Sequence, residues 1–210
     1  MSGNGKLIAA LALVLLVAAG AAGWLLTAAP DTAPMPAPGS APTSGGAILD
    51  RLSPVAPAGN FALVAPLRPD GAQADMAAFR GKALLVNLWA TWCAPCIEEL
   101  PALGRLQETL GGDHFAVVTI ALDEPDAAKV APFLAQHGAG NLPALIDGNR
   151  SIDKVMKVSA LPTSILVDRD GMIRASLTGD ADWDCGAALE AVKAFVRDGS
   201  VSDTPLSACE

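Results

Sequence analysis

The chain has 210 residues, 51% of them hydrophobic and 17% charged, with a formal net charge of −8. That length allows one domain of ordinary size plus appendages. The acidic balance excludes nucleic acid as a partner.

Leu7 to Ala29 is an uncharged run of 23 residues rich in Leu, Ala and Val, preceded by Lys6. At ~1.5 Å per residue it is long enough to cross a bilayer, which predicts a transmembrane signal anchor over residues 1–29. A cleaved signal peptide is the alternative, with Ala19 and Ala21 as the small residues of a cleavage site. Lys6 before the span and Asp31 after it orient the bulk of the chain outward. The part beyond the span carries 13 basic and 22 acidic residues. Seven prolines among Ala, Gly and Ser between Pro30 and Pro57 lack the apolar periodicity needed to pack, and predict an extended linker over residues 30–58.

A folded domain is predicted over 59–198, with a tail at 199–210. It begins with Phe61 to Val64, a turn at Pro69-Asp70-Gly71 and a short helix from Met76 to Phe79, together a hairpin-like extension. Ala83 to Ala90 is a continuous apolar strand of the kind buried on both faces. The helix that follows carries Cys96, Leu100, Leu103, Leu106 and Leu110 at helical spacing, stops at Gly111-Gly112, and is expected to kink at Pro101. Next come a strand at His114 to Leu122, a helix at Asp126 to Gln136 closed by Gly138, a short strand at Leu142 to Asp147 and a helix at Ser151 to Val158. Strands at 163–168 and 172–178, separated by Asp170-Gly171, and a helix from Asp182 to Arg197 complete an α/β pattern.

Cys93-Ala94-Pro95-Cys96 stands where the first long strand meets its helix. Two thiols at that spacing close into a small disulfide ring, and free amides at a helix start favour a thiolate on the leading cysteine. Cys93 is therefore the expected nucleophile. Cys96, one turn further in, is the expected resolving cysteine. Pro95 suits a first helical turn and stiffens the ring. A zinc knuckle needs four ligands, and His114 and His137 stand alone, so no metal and no cofactor are assigned. Asp123, Glu124 and Asp126 read as a dipole-compensating cap on the next helix. Cys185 and Cys209 flank the last helix and are predicted to form a structural disulfide; free thiols or intermolecular pairing are the alternatives.

The run Leu84 to Cys96, with Glu99-Leu100-Pro101 and Leu161-Pro162-Thr163-Ser164, resembles the membrane-anchored, thioredoxin-like TlpA proteins of bacteria, from about Phe61 to about Val196. The resemblance implies a thioredoxin-like fold, a central mixed sheet flanked by helices, with an inserted β/α element and an N-terminal β-hairpin extension. It implies that Pro162 is cis and faces the dithiol, leaving the Leu161 backbone free to pair with an extended client. Pro143, in Asn141-Leu142-Pro143-Ala144, offers a similar local sequence; Pro162 is preferred because a hairpin and closing helix follow it.

Glu99 lies one turn beyond Cys96 on the same helix face. The resemblance places an acid beneath the dithiol there, where a partly dry carboxyl would have a raised pKa and relay the Cys96 proton. A solvated helical charge is the alternative. Asn87 stands where thioredoxins proper have a buried aspartate, which puts more weight on Glu99. Trp92 is expected to flank Cys93 as a client-contacting surface, Trp89 to be core, and Trp183 to pack the last helix.

The implied activity is reduction of client disulfides on the outer side of the cytoplasmic membrane, the periplasm, with electrons from a transmembrane donor. Implied clients are a copper chaperone or an oxidase copper-site subunit. The alternatives are reduction of apocytochrome c, an oxidant or isomerase of secreted proteins, against which Ala94-Pro95 argues, and a copper-binding chaperone without electron transfer, which would want a third soft ligand.

Overall fold

The computed structural model describes residues 52–54, 59–61, 64–123, 126–148 and 151–199. The predicted span, nearly all of the predicted linker, Glu124 and the tail with Cys209 lie outside the described residues. Among the described residues no helix is long and apolar enough to cross a membrane.

The elements in chain order are β1 (Ser53–Pro54), a 3₁₀ helix (Met76–Phe79), β2 (Ala83–Trp89), α1 (Ala94–Leu110), β3 (Phe115–Ala121), α2 (Ala127–Gln136), β4 (Ala144–Ile146), α3 (Ser151–Met156), β5 (Thr163–Val167), β6 (Ile173–Thr178) and α4 (Gly186–Asp198). The sheet runs β1-β6-β5-β2-β3-β4. β2, β3 and β4 are parallel, whereas β5 is antiparallel to β2 and β6 to β5. This is the thioredoxin-like arrangement, with the inserted strand and helix lying between β3 and β5.

β2 sits at the centre and is buried along its whole length. Because strand side chains alternate, its residues feed two cores. Ala83, Leu85 and Trp89 join the core that also holds Leu100, Leu103 and Leu106 of α1 and Val192 and Phe195 of α4. Leu84, Val86 and Leu88 join the other, with Ile152 of α3 and with Met76 and Phe79 packed against it. Each fully buried leucine contributes roughly 1.5–3 kcal/mol of apolar burial. Asn87 shares the parity of Leu85 and Trp89, so it lies on the α1 side of the sheet.

α1 runs through Pro101 as one element. Its close approach to the loop after α2 depends on Gly104: a Cβ there would lie 2.6 Å from the Gly138 carbonyl oxygen, while Asn141 Nδ2 donates to the Gly104 carbonyl at 2.9 Å.

Several boundaries differ from expectation. Among the described residues the N-terminal hairpin is seen at the bridge between Leu67 and Gln73, where Asp70 accepts from the Ala72 amide in the turn and Asp75 caps the 3₁₀ helix; Ala62 and Leu63 of its predicted first strand lie outside the described residues. β2 ends at Trp89 because Ala90 opens the turn closed by the Cys93 amide. α4 starts at Gly186, four residues after Asp182, since Trp183 turns into the core and the Cys185 sulfur accepts from the Ala188 amide as the cap.

Candidate active site

Four residues, Ala90 to Cys93, carry the chain from the buried end of β2 into α1. Cys93 takes the N-cap position with extended φ and ψ and no side-chain cap bond. Pro95 occupies the first turn, where its missing N–H costs no helical hydrogen bond. Cys93 and Cys96 are joined in a disulfide, and neither is fully open to solvent: Cys93 is 5% exposed and Cys96 0%. That ordering makes Cys93 the sulfur an incoming thiolate reaches first. Trp92 beside it is 72% exposed, while Trp89 is fully buried and stacks on Phe133.

The dithiol turn is clamped from the neighbouring strand. Both carboxylate oxygens of Asp123 accept from the Thr91 amide at 3.1 Å, and one also accepts from the Thr91 hydroxyl at 2.6 Å. The Leu122 amide donates to the Trp89 carbonyl. This corrects the cap assignment for Asp123. Asp126 accepts from Ala128 at the start of α2, and Asp123 turns back to hold Thr91 because it comes just after β3 and β3 is paired in register with β2.

Glu99 is buried, not a solvated charge; only 4% of its surface is exposed. Asn87 Nδ2 donates to its Oε1 at 2.6 Å and the Ala181 amide donates to Oε2 at 3.2 Å. Burial pushes the carboxyl up to about 7; the Asn87 and Ala181 donors and the nearby Trp183 indole N–H pull against it, and the charge of Asp180 adds to the rise. Trp183 is buried with its Nε1 making no aligned hydrogen bond. Asn87 Nδ2 also donates to Ser164 Oγ at 3.1 Å, and Asn87 Oδ1 has no donor.

The peptide bond between Leu161 and Pro162 is cis and that before Pro143 is not. Thr163 pairs with Leu88 and Ser164 with Asn87, so Pro162 comes to the Trp89 end of β2, the end that leads to Cys93. Leu161 is half-buried against both cores and precedes the β5 ladder. The Pro162 carbonyl accepts from the Gly179 amide, tying this loop to the segment that covers Glu99. Cys185, at the end of that segment, is disulfide-bonded.

The fold brings Cys93, Cys96, Glu99, Trp92, Leu161 and Pro162, the residues singled out from the sequence, to one end of the sheet. Sequence reasoning missed Thr91 with Asp123, Ser164, and the Ala181–Trp183 cover over Glu99. For Asp123 the sequence signal was the acidic cluster at 123–126, which pointed to the wrong partner.

The chain is 32% identical over 111 residues to the thiol-disulfide oxidoreductase ResA of Bacillus thuringiensis subsp. konkukian, covering 53% of this chain and 63% of that protein. It is 28% identical over 110 residues to ResA of Bacillus subtilis, covering 52% and 60%. The chain therefore spans less than two thirds of the length of these two relatives. Among solved structures, a Chlorobium tepidum protein described as a DsbE thiol:disulfide interchange protein superposes with a TM-score of 0.54 at 24% identity, covering 67% of this chain and 95% of that one. The thioredoxin domain of a Bacteroides vulgatus thiol-disulfide oxidoreductase superposes with a TM-score of 0.50 at 22% identity, covering 68% and 95%. Both likenesses are of fold. The Redoxin family model matches residues 53–194, from the first strand of the sheet into its closing helix, and the chain belongs to the Redoxin family.

Proposed function

We propose that this protein is a membrane-tethered thiol:disulfide oxidoreductase that reduces disulfides of client proteins in the periplasm. The observation that carries this reading is the buried carboxyl of Glu99, one helical turn from Cys96 at the dithiol end of the sheet, with a pKa near 7 that lets it both hold and release a proton at working pH. In the reduced protein the Cys93 thiolate attacks one sulfur of a client disulfide, and the other client sulfur leaves as a thiolate. Glu99 takes the proton of Cys96. The Cys96 thiolate then attacks Cys93 Sγ, closing the ring and releasing the second client thiol. Two electrons have passed to the client, and a donor acting through the membrane returns two to the Cys93–Cys96 pair.

Asn87 serves both states of the acid. Its Nδ2 donates to the carboxylate, and its unpaired Oδ1 accepts from the protonated form once the amide turns over. Trp92 supplies an apolar contact for the client, and the backbone of Leu161 pairs with it as an added strand. On the TlpA resemblance, the clients are proteins of oxidase copper-site assembly whose cysteines must be reduced before metal loading; apocytochrome c is the alternative. Cys185 with Cys209 is proposed as a structural disulfide that holds the cover over Glu99.

The test is the reduction potential of the Cys93–Cys96 pair in the full chain, by equilibration with dithiothreitol or glutathione buffers. A value at or below roughly −270 mV is expected for a reductant. A value near −120 mV, roughly that of a strong oxidant, overturns the reductase reading.

A further inference from the structure

The end of the sheet away from the dithiol holds a cavity of about 390 Å³, floored by Phe61, Phe79, Leu84 and Val167. Leu84 and Val167 are cross-strand partners. From Leu84 the strand climbs five residues to Trp89, roughly 17 Å, before the chain reaches Cys93.

The rim of this cavity is cationic, formed by Arg80, Lys82 and Arg169. Elsewhere Arg68, Arg105, Lys129, Arg174, Lys193 and Arg197 each have a carboxylate partner. The three rim cations have none among the described residues. Lys82 Nζ donates to the Gly112 carbonyl and Arg169 Nη2 to the Val196 carbonyl, both uncharged acceptors. Of the two acids on the wall, Asp168 is committed to Arg174 and to the amides of Asp170 and Met172. Asp170 alone remains to oppose three positive charges. In a chain of net charge −8, three cations without carboxylate partners among the described residues meet at this one cavity.

The segment that arrives from the predicted linker enters the domain beside this cavity. Asn60 bridges to Met172, the Phe61 amide donates to the Gly171 carbonyl, and the Ile173 amide donates to the Gly59 carbonyl. Phe61 is both the end of that entry and part of the floor.

We propose that this end of the domain rests on anionic phospholipid headgroups of the membrane that carries the chain, with Arg80, Lys82 and Arg169 facing the phosphates and the dithiol turned away toward clients. The proposal rests on the tethering stated under Proposed function. Cations near such a surface attract only within about a Debye length, ~8 Å at physiological salt, so the tether brings the domain close and the patch chooses which side faces the lipid.

The test uses the full chain in lipid nanodiscs of phosphatidylcholine alone or with phosphatidylglycerol, read by amide hydrogen exchange. Slower exchange over residues 76–82 and 168–172, by severalfold, is expected only with phosphatidylglycerol. It is expected to vanish in 0.5 M salt, an ionic strength at which the Debye length falls to roughly 4 Å. The chain carrying Arg80→Gln, Lys82→Gln and Arg169→Gln should lose the protection while exchanging disulfides with a soluble peptide at the wild-type rate. If that chain fails to fold, Arg80→Gln alone, at an exposed side chain without a carboxylate partner among the described residues, should weaken the protection. Equal exchange in the two discs with the chain still anchored overturns the proposal and leaves tethering intact. A chain that washes out of both discs overturns tethering instead. Sedimentation with phosphatidylglycerol vesicles then decides the surface: roughly tenfold or greater preference over phosphatidylcholine sustains it, and no preference ends it.

Discussion

At the Trp89 end of β2 the decisive charge is buried, and at the Ala83 end the decisive charges are exposed. Glu99 is wrapped by Asn87, Ala181 and Trp183, and its protonation responds to each of them. Arg80, Lys82 and Arg169 stand around an open cavity, where solvent screens them until another charged surface approaches. The difference teaches that one strand can carry two kinds of electrostatic device. Desolvation tunes an acid for chemistry at one end, and unopposed exposed charge is available for orientation at the other.

The largest expected effect separates the ends by chemistry. Cys96→Ser should abolish turnover and accumulate a mixed disulfide through Cys93 with a model disulfide peptide, seen by mass spectrometry under non-reducing conditions. A trap that forms through the other cysteine in the reciprocal variant, and not in this one, would reverse the two roles.

Glu99→Gln tests whether burial is what distinguishes the dithiol end. A carboxyl with an ordinary value of 4.5 that is raised to about 7 by burial binds its proton more tightly in the folded state. The shift costs no stability below about pH 4.5; the penalty builds as the pH rises from about 4.5 to about 7 and is fully present above that. The Gln variant should therefore gain stability on the native chain at pH 8, by at most about 3 kcal/mol, and match it at pH 4. Denaturant unfolding at the two pH values checks this. Alkylation of Cys96 in the reduced variant should lose its step near pH 7, and an unchanged profile would detach the carboxyl from Cys96.

Asp123→Ala gives a smaller effect. It leaves the Thr91 amide and hydroxyl without their acceptor, at a cost of about 1–2 kcal/mol in a half-buried setting. Peptide-disulfide exchange should slow while lipid-dependent protection of residues 76–82 is retained. Asp123→Asn, which keeps an acceptor oxygen, should fall between the two. Loss of protection at the far cavity as well would show that the ends are coupled.

Much of the fold was legible because it is written in local periodicity. The continuous apolar run of β2, the helical spacing from Cys96 to Leu106 and the Asp170-Gly171 turn each report on near neighbours. Cys93, Cys96 and Glu99 were legible because one strand-to-helix junction holds them all. Asp123 was misassigned because acids before a helix usually cap it, and only the pairing of β3 beside β2 shows which backbone its carboxylate reaches.

Chain order and side-chain type by themselves determined the dithiol, its place at a helix start, the strand and helix sequence of a thioredoxin-like domain, and Pro162 as the proline ahead of a closing hairpin. Tertiary structure alone decided that Glu99 is dry, that Asn87 and Ser164 join it to the Pro162 strand, that Thr91 is held by Asp123, and that three cations without carboxylate partners meet at one cavity. The physical reason is range. Secondary-structure signals act over a few bonds, whereas desolvation and charge pairing depend on which distant segments the fold brings into contact.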